Sequence, residues 1–218
     1  MAIETFGTER EDIKSSKFKS YKGKEGQTDR IGIVFTSKKE MYKGARIHYN
    51  EKYYVCKSEW KDNIAVNKAI CCTASYKGNK PKWRIGAVVI VYHIQNKDGK
   101  DILTGYELIP WVFGETMYNT LREIDKETSL ETHDIKLKCK NEEFQNMDII
   151  TCDKSIWRSS PNLQKKILAE FPALVEDVKG NLGQDLNLEE IKELLGVETP
   201  GSQDASADIA MGDVLESV

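Results

Sequence analysis

His48, Cys56, Cys71 and Cys72 fall within 25 residues of one another, and imidazole with thiolates is a donor set that holds zinc. The spacing is irregular, with no Cys-x-x-Cys pair in the chain. The adjacent Cys71 and Cys72 would both have to turn into one tetrahedron. The same cysteines would serve equally as small buried hydrophobes, with His48 a core or surface residue. A second group of residues interleaves cations with aromatic rings. Lys82, Trp83 and Arg84 follow one another in Lys80-Pro81-Lys82-Trp83-Arg84, and Arg46, Tyr49, Tyr54, Trp60 and Trp111 belong to the same basic part of the chain. Cations neutralise phosphates and rings stack on flat bases, so the combination suits a strand that offers both.

Other chemistry is missing from the sequence. There is no phosphate-binding loop, no dinucleotide glycine fingerprint and no nucleophile elbow. None of the three histidines, His48, His93 and His133, sits in a recognised catalytic context. Carboxylates gather towards the ends, away from the basic middle, which argues against a two-metal nuclease. The expectation is a protein that is not an enzyme.

The net charge of −3 conceals a polarity along the chain. Residues 13–113 hold 20 Lys and Arg against 9 Asp and Glu, a net of +11, whereas residues 114–218 hold 11 against 22, a net of −11. A basic globular part fits a polyanion, and an acidic end fits a segment that competes with that polyanion or recruits proteins. Five cysteines without a regular framework argue for reduced thiols. With no long apolar run and no signal-like start, the expected location is a cytoplasm, with no membrane contact.

The elements that would position these residues are mainly strands. Two β-rich runs, 85–94 and 102–113, flank a loop containing Asp98-Gly99, which is a hairpin signal. Residues 30–35 read as a first core strand, and 44–56 as a hairpin carrying Arg46 and His48 on its polar face. Residues 57–78 read as a long inserted loop with a short helix over 62–70. Residues 114–124 have helical spacing. Residues 133–139 and 147–152 read as two more strands, the first with Asp134, Lys136, Lys138 and Lys140 on one face. Ser160-Pro161 starts a helix, and Asn187-Leu188-Glu189-Glu190 starts a shorter one ended by Gly196.

The expected organisation is a flexible N-terminal segment 1–16, an OB-like domain 17–158, C-terminal helices 159–196 and an acidic disordered tail 197–218. The fold class is mainly β within α+β: an OB-like small β-barrel with an inserted loop and short helix and a C-terminal helical segment. In this arrangement Lys22, Lys24, Arg30, Lys43, Arg46, Lys82 and Arg84 would neutralise phosphates. Tyr49, Tyr54, Trp60, Trp83 and Trp111 would stack on bases.

The order Arg46-Ile47-His48-Tyr49, Tyr53-Tyr54-Val55-Cys56, Cys71-Cys72, Pro81-Lys82-Trp83-Arg84-Ile85, Asp98-Gly99 and Trp111-Val112-Phe113-Gly114 resembles phage-encoded single-stranded-DNA-binding proteins of the helix-destabilising, OB-fold type. The resemblance covers roughly residues 17–158. It implies a protein that coats single strands in phage DNA replication, recombination or repair inside a bacterial host, with an acidic tail that recruits replication or recombination partners. Some members carry a structural zinc on one His and three Cys. This chain has those residue types at a different spacing, and lacks the aromatic-terminated tail of bacterial relatives. A different class of function, a phage regulatory adaptor that binds a polymerase or host protein through its acidic C-terminal part, also fits the charge polarity.

Overall fold

The computed structural model describes residues 19–141 and 147–197. Residues 1–18, with the expected flexible segment 1–16, residues 142–146 and the expected acidic tail beyond position 197 lie outside them.

Sixteen-residue β6 (Lys82–Lys97) is the strand on which the others are assembled. It pairs along its length with β7 (Lys100–Gly114), from Arg84 opposite Gly114 to Lys97 opposite Lys100. Asp98 and Gly99 join them with φ of 52° and 75°. Two consecutive left-handed residues are what a type I′ turn requires, and that turn matches the twist of the strands it joins. The expected hairpin is therefore present, with strands longer than their apolar runs.

The other edge of β6 is shared by two strands in tandem. β2 (Lys43–Asn50) pairs with residues 82–86, and β1 (Thr28–Val34) with residues 88–92. β3 (Lys52–Val55) then pairs with β2, β8 (Ile135–Cys139) with β1, and β9 (Met147–Thr151) with β8. Every ladder is antiparallel, and the order is β3-β2-β6-β1-β8-β9 with β7 beside β6. The fold is thus α+β and mostly antiparallel sheet. Among the described residues no ladder joins β7 or β9 back to β3, so the sheet is not closed into a barrel, where a small OB-like β-barrel, closed or partly open, was expected. The segment before β1 lies between two separated strands: Tyr21 N–H donates to Pro110 O of β7 at 2.7 Å, and Gly26 N–H to Cys139 O of β8 at 2.9 Å.

The inserted loop departs from expectation. In place of a helix over 62–70, β4 (Glu59–Lys61) and β5 (Ile64–Asn67) form a separate two-stranded sheet, and the helix α1 (Ile70–Thr73) is a single turn. The cause is local. Asp62 and Asn63 sit at φ 47° and 65°, left-handed values that a helix cannot accommodate and a hairpin turn can.

α2 (Glu115–Glu127) packs Leu121 into the core with Met117 and Ile124 beside it, the stripe its spacing implied. After β9 come α3 (Ile156–Ser159), α4 (Pro161–Leu182) and α5 (Leu188–Leu194). Ser160 occupies the N-cap of α4, although its side chain makes no capping bond. Ile167, Phe171 and Val178 of α4 share one buried cluster with Ile31, Val89 and Trp111 of the sheet. The 159–196 stretch therefore helps to build the core of the β-rich part. Gly86 permits that closeness, since a Cβ there would stand 2.5 Å from Val178 Cγ1. Asn187 and Glu190 form the expected capping box of α5, and Gly196 follows at φ 62°. No helix among the described residues is long and apolar enough to cross a membrane.

One further expectation is corrected by burial. Asp134 does not share the exposed face of Lys136, Lys138 and Lys140; it is fully buried. Its carboxylate accepts from Arg30 Nε at 3.1 Å and from Ile156 N–H at 2.9 Å. It caps the start of α3 and draws Arg30 inward.

Candidate metal centre and binding face

Three elements bring His48, Cys56, Cys71 and Cys72 together. His48 points inward from β2, Cys56 follows directly on β3, and Cys71 and Cys72 lie on α1. One ligand atom from each residue lies within 4.8 Å of all the others. Cys56 Sγ is 3.5 Å from Cys72 Sγ and 4.0 Å from Cys71 Sγ, while Cys72 Sγ is 3.5 Å from His48 Nε2. A tetrahedral zinc with Zn–S bonds of about 2.3 Å would separate its sulfurs by about 3.8 Å. The observed spacings match those edges and are far too long for a disulfide. Adjacent cysteines can share the site because consecutive residues of a helical turn project about 100° apart, whereas on a strand they would face opposite ways.

The groups around the cluster fix its ligands. His48 Nδ1 lies 2.8 Å from Gly78 O, an acceptor only, so Nδ1 carries the proton and Nε2 is left bare towards Cys72. Tyr76 hydroxyl lies 3.0 Å from Nδ1 and donates to Cys71 O at 2.7 Å. Tyr54 stacks on the imidazole with centroids 5.4 Å apart and bonds Tyr76 hydroxyl at 2.6 Å. Ser58 Oγ donates to Cys72 Sγ at 3.0 Å, and Trp60 Nε1 to Cys56 Sγ at 3.4 Å. The Cys56 thiol is held well below its ordinary pKa, chiefly by its bond to Cys71 and further by those to His48 and Trp60. Cys71 is pushed up by the same bond and by burial. One sulfur is thus ready to carry charge, as metal ligation demands. A small core of Tyr54, Cys71, Leu186 and Ile191 underlies the cluster, so α5 closes it from below.

Next to the cluster, Arg46 lies between two tryptophans, its guanidinium 4.0 Å from the Trp60 ring and 4.8 Å from that of Trp83. Arg46 and Trp83 are register partners across β2 and β6, and Arg46 also bonds Asn63. All three side chains of this column are half-buried. Lys43 at the start of β2 is half-buried and Lys82 is exposed. Arg84 is turned away from Trp83: it donates to Leu182 O at 3.1 Å and lies 4.1 Å over Tyr53. Burial lowers its pKa.

Two expected stacking residues are corrected. Tyr54 is 0% exposed beneath the cluster, and Trp111 is 2% exposed in an edge contact with Tyr21 at 5.9 Å. Neither offers a face to a base. Tyr49 is exposed as expected, and its ring partner is Tyr53, one residue from the tyrosine singled out in the sequence. Strand alternation makes that one-residue difference decisive, because neighbours face opposite ways.

An open cleft of about 910 Å³ lies over β1, β6 and β7, bordered by the 19–24 segment. Lys22, Lys24, Arg30 and Lys136 line it, as do three carboxylates with internal partners. Glu107 pairs with Lys19, Asp29 accepts from Tyr21 hydroxyl and Gln27, and Asp101 accepts from Asn96. Arg30 is committed to Asp134 and Lys154 O. Among the described residues, Lys22, Lys24 and Lys136 have no ion-pair partner and are exposed. Lys136 was not among the residues singled out for phosphate contact in the sequence, because its place beside Arg30 across β1 and β8 is set by a long-range pairing.

Comparisons with protein-family models, curated proteins and solved structures give no match to this chain.

Proposed function

We propose that this chain is a non-enzymatic, sequence-independent single-stranded-DNA-binding protein of OB-like kind. It would coat strands during phage DNA replication, recombination or repair and recruit partners through its acidic C-terminal stretch. The observation that carries this reading is the cleft of about 910 Å³ in which Lys22, Lys24 and Lys136 have no ion-pair partner among the described residues while every lining carboxylate is internally engaged. Such a cleft attracts a phosphate backbone, and release of condensed counterions supplies the affinity. The Trp60–Arg46–Trp83 column supports the same reading with ring faces and a cation against which bases can stack.

In this proposal His48, Cys56, Cys71 and Cys72 hold a structural zinc. The Cys3His set and its sulfur spacings fit a closed tetrahedral site, and all four protein ligands leave no open position for chemistry. Its part is to tie β2, the end of β3 and α1 together, which sets the position of Trp60 next to Arg46.

The test is a titration of tryptophan fluorescence with oligo-dT and with a duplex of equal length at several salt concentrations. The single strand is expected to quench strongly, with affinity falling steeply as salt rises. Replacing Lys22, Lys24 and Lys136 by Ala is expected to flatten the log–log salt slope by about 2, since each phosphate contact on a single strand contributes about 0.7. No response to either nucleic acid would overturn the reading and turn attention to a protein partner of the acidic stretch.

A further inference from the structure

The face of the sheet opposite Trp83, which α4 covers as far as Leu182 beside Arg84, carries a second aromatic column at its exposed corner. Tyr49 and Tyr53 are register partners on β2 and β3, their ring centroids 4.8 Å apart, and they are 54% and 48% exposed. The Arg84 guanidinium lies 4.1 Å over the Tyr53 ring. Arg46 and Tyr49 are three residues apart on one strand, so their side chains stand on opposite faces. Trp83 and Arg84 are likewise neighbours on β6 and diverge in the same way. The Trp60–Arg46–Trp83 column and the Tyr49–Tyr53–Arg84 column therefore occupy the two faces of one sheet corner.

The second column is built as a platform. Arg84 is anchored on Leu182 O at the end of α4, so its position is set before any ligand arrives. Both tyrosines flank the tight β2–β3 turn at Glu51, whose φ is 59°. Two large rings left in water, in contact at an interplanar angle of 48° and backed by a fixed cation, mark a surface for a further flat ring. Exposed Lys82 is the register partner of Ile47, two residues before Tyr49 on the same face, and can meet a phosphate.

We infer that Tyr49 and Tyr53, positioned by Arg84, form a second base-stacking site, so that one bound single strand contacts both faces of the sheet corner around the β2–β3 turn. This rests on the single-strand reading above and adds to it: short strands fill the first face alone, and longer ones gain the second.

The experiment compares affinities for oligo-dT of about 4 and about 16 nucleotides, the range of site sizes that such sheets hold. In the Tyr49→Ala/Tyr53→Ala double variant, the ratio of long-strand to short-strand affinity is expected to fall by about 5- to 150-fold for each stacked base lost. Tyr53→Phe, which keeps the ring, is expected to keep the ratio. In the unsubstituted protein, the long oligonucleotide is expected to protect Tyr49 and Tyr53 from nitration by tetranitromethane and the short one to leave them reactive. A protein that binds the long strand with an unchanged ratio in the double variant and unprotected tyrosines would overturn the second site and leave the single-strand reading standing. A protein that binds neither length would overturn both.

Discussion

Removing the proposed zinc is the most direct perturbation of the Cys3His cluster. Three sulfurs and one imidazole nitrogen lie within 4.8 Å, and the hydrophobic support beneath them amounts to Tyr54, Cys71, Leu186 and Ile191. A ligand that binds only the folded chain stabilises it by RT ln(1 + [L]/Kd), about 2.7 kcal/mol when free zinc is 100 times Kd. For a domain of this size each kcal/mol moves the midpoint by about 2–4 °C, so chelation is expected to lower Tm by about 5–11 °C. The loss should be local. The main core, which contains Ile31, Val89 and Ile167, lies apart from the cluster, so amide exchange should accelerate over residues 48–80 and α5 and change little in β6 and β7. The assay is calorimetry with and without chelator on reduced protein, alongside metal quantification and hydrogen exchange. Reduced protein that carries no zinc, takes none up and melts at the same temperature with zinc and with chelator would refute the metal assignment.

Three other outcomes follow from the geometry. Gly78→Ala would place a Cβ 1.7 Å from Tyr49 O, so the loop must move and the His48 Nδ1 bond to Gly78 O must lengthen; losing such an outer-shell partner is expected to weaken zinc binding by about 10- to 100-fold in competition titrations, and unaltered affinity would dismiss the orienting role. Burial raises the phenol pKa of Tyr21, Tyr42, Tyr76 and Tyr92, aided by Asp29, Asp125, Tyr54 and Asp134 respectively. Folded values above the unfolded value of about 10 mean that stability is intact below that pH and lost as pH rises past it, so 295 nm absorbance from these tyrosines should appear only with alkaline unfolding; ionisation of all nine tyrosines near pH 10 with intact circular dichroism would contradict the burial argument. Ile167→Ala, at a fully buried position where α4 meets the sheet, is expected to cost about 2–5 kcal/mol in urea unfolding, and a loss below about 1 kcal/mol would show that α4 is not integral to the core.

Local chemistry carried much of the architecture. Asp98-Gly99 specified a two-residue turn and hence the hairpin on which the sheet is assembled; Asn187 with Glu190 specified the start of α5, and the spacing of Met117, Leu121 and Ile124 specified α2. These signals act between residues a few positions apart, so the sequence displays them openly. The His/Cys set was visible as donor types. That four such atoms converge was not, because β2, β3 and α1 meet only through tertiary packing and the helical turn at Cys71-Cys72 hides in an apparent loop. The helix expected over 62–70 failed for a related reason: Asp62-Asn63 is a turn signal, but it lay inside a stretch read for helical content.

The aromatic residues divide most clearly between the two levels. Composition by itself showed that the basic half of the chain is rich in rings and cations. Only the tertiary structure decided that Tyr54 and Trp111 belong to the interior while Tyr49, Tyr53, Trp60 and Trp83 remain accessible to differing degrees. Adjacent residues on a strand face opposite ways, and which face is covered depends on distant partners. Here Gln184 lies along β3, bonding Val55 N–H and Tyr53 O at 2.9 Å, and α5 seals Tyr54 from below. Those partners come from the far end of the chain, more than a hundred positions away, and no pattern within residues 44–56 could announce them.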